Sequence, residues 1–306
     1  MTGTWKKLGL LYSPPEISRH PKLLSHAANP LPILMEGDTY RIFYSARDIK
    51  NRSSVGAVDI DLIKRKVIQD HSLPFFEHGA AGSFYADGVS IGNCYQIAGD
   101  RYMLFMGWQR PQEAHWRGDI GRLIVKPDLT LELDSATPLL SSEDIDPISL
   151  SYPWVCANED VGFSMWYGST ITWDAGNEEM LHVIHFASST NGHHWDRKGL
   201  AIPYKLGVAQ AFSRPTVVCD IPGEYGMWFS YRGVQEKYRI GYATSNDGRE
   251  WTLALDAAGI DVSDHGWDSE MIEYPFVFDH KGQRYLLYNG NGYGKTGFGL
   301  AVMVHE

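Results

Sequence analysis

Two acidic residues, Glu270 and Glu273, stand just ahead of an apolar run in the stretch W-D-S-E-M-I-E-Y-P-F-V-F, and Asp87 heads a second such run, D-G-V-S-I-G. Two carboxyl groups facing one another can divide the labour of bond cleavage. One is kept protonated to deliver a proton to a leaving oxygen, while the other is ionised to activate water or attack carbon. Asp87 and Glu273 form the candidate catalytic pair, with Glu270 able to substitute for Glu273. His26, Asn29, Tyr152, Arg214 and Tyr274 lead or sit in comparable apolar runs, and Arg47 follows one. These are the candidate binding residues. The planar fork of Arg47 and Arg214, with Arg232 nearby, suits a carboxylate or phosphate. Trp108, with Trp116, Trp166 and Trp173, offers flat faces for ring stacking, although packing accounts for such tryptophans equally well.

What positions these residues is a repeat. The runs N-P-L-P-I-L from Asn29, D-G-V-S-I-G from Asp87, Y-P-W-V-C-A from Tyr152, R-P-T-V-V-C from Arg214 and Y-P-F-V-F-D from Tyr274 recur at intervals of 58, 65, 62 and 60 residues. Each is followed by a turn and an aromatic-rich run, such as T-Y-R-I-F-Y-S-A-R from Thr39 or R-Y-L-L-Y-N-G-N from Arg284, and then by a third run. Alternation of apolar with polar or small residues predicts strands throughout, and no stretch has helical periodicity. The turns S-T-N-G-H-H-W (Ser189 to Trp195) and S-N-D-G-R-E-W (Ser245 to Trp251) introduce a fourth strand. Their Asn-Gly and Asp-Gly pairs supply the positive φ that tight hairpins need, so they resemble structural Asp-box turns.

The N-terminal W-K-K-L-G-L-L-Y from Trp5 reads as a fourth strand, whereas the last repeat has only three. The expected fold is therefore all-β: a five-bladed β-propeller of four-stranded antiparallel blades, the last closed by the N-terminal strand, with residues 1–306 as one domain. The residues leading each first strand then converge at one end of the central channel.

Composition narrows the partners. The 306 residues carry 27 basic against 37 acidic side chains, a net charge of −10, with no basic run or stripe, which disfavours nucleic acid and anionic membranes. No run approaches the ~18 apolar residues of a membrane span, and the N-terminus lacks a signal-peptide apolar stretch. A cytoplasmic location is the expectation. Cys94, Cys156 and Cys219 each lie in a strand-like run, an odd number without a disulfide pattern, and are expected to be buried strand packing. His26, His78, His115 and His265 show no zinc-ligand spacing.

The repeat architecture, over essentially the whole chain, resembles the five-bladed propeller glycosidases: arabinanases and β-xylosidases, invertases and levansucrases, and mannoside phosphorylases. The resemblance implies a carbohydrate substrate, and it allows a channel calcium without requiring any cofactor. Asp87-Gly88 matches the second inner-strand Asp of arabinanase-like enzymes. The E-x-P of Glu273-Tyr274-Pro275 falls in the fifth blade rather than the third, and Asn29 stands where the first blade would carry a base. The invertase N-D-P-N-G signature is absent. Three readings follow: a glycoside hydrolase; a sugar transferase or phosphorylase, for which the arginines suggest an acidic or phosphorylated sugar; and a carbohydrate-binding propeller without catalysis, suggested by Asn29.

Overall fold

The computed structural model describes residues 3–15, 20–158 and 162–304. An N-terminal strand, β1 (Thr4–Tyr12), precedes four groups of four strands. These are β2–β5 (Ser25–Glu36, Thr39–Arg47, Ser53–Asp61, Lys66–Asp70), β6–β9 (Gly88–Ile97, Asp100–Gln109, Arg117–Val125, Leu131–Leu133), β10–β13 (Ser149–Asn158, Gly162–Thr172, Leu181–Ser189, Asp196–Leu200) and β14–β17 (Ala211–Ile221, Glu224–Arg232, Arg239–Ser245, Thr252–Leu253). The last group, β18–β20 (Glu273–His280, Gln283–Asn289, Phe298–Val304), takes β1 as its outer strand in the order β1-β20-β19-β18. Among the described residues the strands thus make five four-stranded antiparallel blades, I to V in chain order of their inner strands. Single parallel pairings, Ser53↔Gly88 and His182↔Ala211, stitch blade I to II and III to IV. The inner strands neighbour one another in the cyclic order β2, β6, β10, β14, β18 and back to β2, which is the ring of a propeller.

Closure of blade V joins the chain ends. Trp5 is 4% exposed and meets Trp228 edge-on, ring centroids 5.7 Å apart. Lys7 donates to the buried Asp268 (2.8 Å), which also accepts from the Tyr288 hydroxyl (3.0 Å). Covering β20 with β1 removes a sheet edge that would template aggregation. Only two short helical turns occur among the described residues, Leu255–Ala258 and Asn291–Gly294, both in loops.

Each inner strand carries the same β-bulge. In blade III, Ser151 pairs with Gly168 and Trp154 with Trp166, so Tyr152 and Pro153 lie opposite Tyr167 alone. The same shift occurs between Ala28 and Leu31, Ile91 and Cys94, Ser213 and Thr216, and Glu273 and Phe276. The first bulge residue has left-handed backbone at Asn29 (φ 55°), Tyr152 (37°), Arg214 (46°) and Tyr274 (53°). For side chains of this size that conformation costs on the order of 1–3 kcal/mol, and a bulge re-aims the side chain it contains. The bulges also correct the repeat register. The blade II counterpart of Asn29 is Gly92, not Asp87, so the spacing becomes 63, 60, 62 and 60 residues. Asp87 precedes its strand by one residue and stands five positions ahead of the equivalent point.

Polar side chains lock neighbouring blades together. Asn93 donates to Val155 O (2.8 Å) and accepts from Val155 N (2.9 Å), and Asn289 does the same for Ala27 O (2.7 Å) and Asn29 N (2.9 Å). The two Asp-box turns are structural, as their sequences suggest. Ser245 and Asp247 accept the turn amides and Trp251 closes onto Gly248 O (3.0 Å), to which Trp166 also donates (2.9 Å). The three cysteines are free. Burial pushes the Cys94 thiol up to about 12 and Cys156 to about 11, which suits packing, whereas Cys219 is exposed, contrary to expectation.

Candidate active site

The ends of the second strands and the starts of the first and third open onto a cavity of about 470 Å³. Its wall includes seven of the residues picked out in the sequence: Asn29, Arg47, Trp108, Trp116, Tyr152, Arg232 and Tyr274. It also includes Ser151 and Ser213, and residues that sequence reasoning did not select, among them Arg110, His182, Tyr238 and Tyr293. No Asp or Glu is among the lining residues. In an acidic protein, this wall is aromatic and cationic.

Glu273 is not itself a lining residue but adjoins the wall: its neighbour Tyr274 lines the cavity, as do Ala28, Ser151 and Ser213 at its bulge-equivalent positions in blades I, III and IV, whereas Ile91 of blade II does not. It is 0% exposed, and neither carboxyl oxygen has a hydrogen-bond partner. Burial raises its pKa well above the usual glutamate range. The positive charges of Arg47 and Arg232 oppose this, as does the neighbouring Tyr274 hydroxyl, which favours the ionised form without reaching hydrogen-bond geometry. Burial therefore favours the protonated carboxyl. The Tyr152 and Tyr274 hydroxyls meet at 3.2 Å, ring centroids 5.2 Å apart, and burial raises the pKa of both.

The arginines differ in how they are held. Among the described residues the Arg47 guanidinium has no hydrogen-bond or ion-pair partner of its own. Arg232 donates to Glu179 (2.9 Å) and lies over the Tyr238 ring at 5.0 Å, yet its Nε is buried without a partner. Arg110 is tied to Lys50 O (2.8 Å) and covers the Trp108 face at 5.6 Å, while Trp108 donates to Ser53 Oγ (3.0 Å). Arg214 serves differently from the expectation. It is 1% exposed and does not line the cavity; it reaches across the channel to Pro30 O (2.8 Å) and Ile91 O (2.9 Å). Burial lowers its pKa to about 9.

Asp87 and Glu270 are not brought to the cavity wall. The Asp87 carboxylate accepts from Arg110 N (2.7 Å) in a separate recess of about 340 Å³ that also holds Arg52 and Gly79, with Arg110 shared between the two. The register correction explains this position. Glu270 is a 59% exposed side chain paired with Lys237, on a loop outside the strand. His26, with left-handed backbone (φ 63°), accepts or donates at Ser25 Oγ (2.9 Å). Burial, then the charges of Arg47 and Lys295, hold its ring down at about 4, so it is neutral. Asp48 pairs with Arg52 (2.8 Å) rather than Arg47, which leaves Arg47 available.

His182 forms a second built element of the wall. Its Nε2 lies 2.7 Å from Ser151 Oγ and its Nδ1 2.7 Å from Thr170 Oγ1, and burial lowers its pKa to about 3. Such a histidine is too weak a base to activate Ser151, and fixes the orientation of its hydroxyl instead. Buried polar atoms without partners concentrate around this site: Asn29 Oδ1, Ser213 Oγ, Arg232 Nε, Arg214 Nε and both Glu273 oxygens. Packed proteins rarely leave such groups unsatisfied, so their convergence marks a place where water or a ligand completes the hydrogen bonding. Among the described residues no group of three or more His, Cys, Asp or Glu side chains is placed to hold a metal ion, and no helix is long and apolar enough to cross a membrane.

No family model matches the chain. It is 44% identical over 305 residues to the uncharacterized protein Rv1502 of Mycobacterium tuberculosis, covering 98% of this chain and 99% of that one. Among solved structures it resembles a glycoside hydrolase with a TM-score of 0.75 at 14% identity, covering 100% of this chain and 93% of the other. It also resembles an endo-arabinase from Bacteroides thetaiotaomicron with a TM-score of 0.62 at 12% identity, covering 92% and 95%. Identities this low speak for the fold alone.

Proposed function

The chain belongs to the family of Rv1502, and we propose that it is a carbohydrate-active enzyme that cleaves a glycosidic bond of an anionic sugar, with Glu273 as proton donor. The observation that carries this reading is the buried, unpartnered Glu273 beside a cavity of arginines and aromatic rings. A carboxyl kept protonated at neutral pH is what a general acid requires. Its proton passes to the glycosidic oxygen as the bond to the anomeric carbon breaks. Arg47 and Arg232 meet the anionic group, and Trp108, Tyr152 and Tyr274 take the ring faces. In the hydrolytic form of the reaction water attacks the anomeric carbon and releases its proton to solvent, because Asp87, in the separate recess beyond Arg110, does not reach the cavity wall to take it. A glycoside hydrolase and an endo-arabinase share the fold, which supports a sugar as the ligand.

A second form of the reaction is favoured by the absence of Asp and Glu from the lining residues. Phosphorolysis needs no base: inorganic phosphate held by the arginines attacks the anomeric carbon, the glycosidic bond breaks, and the leaving oxygen takes the Glu273 proton. The test is chromophore release from aryl glycosides, aryl glycuronides and 6-phosphorylated aryl glycosides, with and without added phosphate. Anionic glycosides are expected to be preferred, with sugar 1-phosphate forming if the second form holds. Arg47→Ala is expected to raise KM for the anionic substrate by about 10–100-fold, the worth of one or two charge-assisted hydrogen bonds, and to leave neutral glycosides little changed. Equal use of neutral sugars, or an Arg47→Ala variant with unaltered KM, would sink the anionic reading.

A further inference from the structure

The cavity's rim changes character beside blades III and IV. The stretch L-A-I-P-Y-K-L-G-V, residues 200–208, leads from the outer strand of blade III towards β14, and exposes Leu206 (52%) and Val208 (45%) to solvent. Val234 (46%), two residues beyond Arg232, is exposed alongside them. The two loops that carry these side chains pack against one another. Val234 N donates to Gly207 O (3.3 Å), and Gly233 lies so close that a Cβ there would sit 2.2 Å from Gly207 O and 2.8 Å from Val208 Cα.

The surface is fastened to the cavity. Gln210 is fully buried; its amide donates to Met180 O (3.2 Å), its carbonyl accepts from Gly207 N, and its backbone N donates to Arg232 O (3.1 Å). Met180 and Arg232 are themselves wall residues. An apolar shelf therefore begins within two residues of the cation that faces the ligand. Single exposed apolar residues are ordinary, but a contiguous set abutting a charged cavity marks a binding surface.

Resting on the reading that the cavity takes an anionic sugar, we propose that the substrate is an amphiphile: its anionic head enters the cavity at Arg47 and Arg232, and an aliphatic chain lies over Leu206, Val208 and Val234. Charge complementarity selects the head. The shelf is too small for a stable copy of this chain, which would need roughly 800 Å² per partner. The net charge of −10 opposes an anionic bilayer, while the local Arg47 and Arg232 charges receive a single anionic head.

The experiment is calorimetry on the full chain with methyl phosphate, n-decyl phosphate below its micelle-forming concentration, and neutral n-octyl glucoside. n-Decyl phosphate is expected to bind at least tenfold more tightly than methyl phosphate. The triple variant Leu206→Ser, Val208→Ser, Val234→Ser, at exposed positions, is expected to lose that gain while binding methyl phosphate as before, and Arg47→Ala to weaken both. Equal affinity for the two phosphates overturns the proposal and leaves the anionic cavity standing. So does octyl glucoside binding as tightly as decyl phosphate, or a dimer in sedimentation that the triple variant dissolves. Binding of neither phosphate overturns the anionic cavity itself, and the proposal with it.

Discussion

Glu273→Gln is expected to cut turnover of the glycosidic substrate by about 10²–10⁴-fold, the usual worth of a general acid, and to leave the protein folded. Gln has the size and shape of the protonated carboxyl but no proton to give. The same substitution has a pH signature in stability. The folded-state pKa of Glu273 is raised by burial, so the folded protein holds this proton over a pH range in which the unfolded chain has released it. Below the ordinary glutamate value of about 4.5 both states are protonated and the residue makes no pH-dependent difference. As pH rises from there towards the folded-state pKa, the wild type loses stability. Gln does not titrate, so melting temperatures of wild type and variant should converge at pH 4 and separate towards pH 8, with the variant the more stable. Curves that stay parallel would mean Glu273 is not held protonated. Full activity in the variant would remove it from the chemistry.

Arg214→Met is expected to damage the fold rather than the affinity for substrate. The guanidinium joins blade IV to Pro30 O of blade I and Ile91 O of blade II inside the channel, where water has no access. Each buried acceptor left without its donor costs about 1–3 kcal/mol, so the two together should lower the melting temperature by on the order of 10 °C. Arg214→Lys should recover only part of the loss, because one ammonium cannot reach two strands with the geometry of a planar fork. The measurement is thermal unfolding beside KM. A variant with unchanged melting temperature and raised KM would return Arg214 to the substrate-binding role read from the sequence.

Both predictions depend on features that differ in how readable they are from the chain. The strands, the two Asp-box turns and closure by the N-terminal strand follow from local patterns. Alternation sets which face is buried, Asn-Gly and Asp-Gly set the turns, and X-Pro marks four of the five bulges. Blade II was misaligned because its bulge is Gly92-Asn93, without the proline that flags the others. That slip of five residues equated Asp87 with wall positions it does not share. His182, Tyr238 and Tyr293 escape sequence reasoning because they come from one third strand and two loops, whose reach into the cavity depends on blade tilt and loop path rather than on any periodicity.

Glu270 and Glu273 illustrate the division most clearly. The order of residues alone placed both acids at the entrance to the fifth inner strand, among five repeats that each bring different side chains to one channel. It could not tell them apart, because three residues of chain at a strand entrance can face water or core equally well. Tertiary packing decided: Glu270 meets Lys237 in solvent, while Glu273 is fully buried beside Tyr274 with neither carboxyl oxygen hydrogen-bonded. Burial is a property of everything packed around a group, and so the protonation of Glu273, the freedom of Arg47 and the diversion of Arg214 into the channel exist only once five blades have closed on one another.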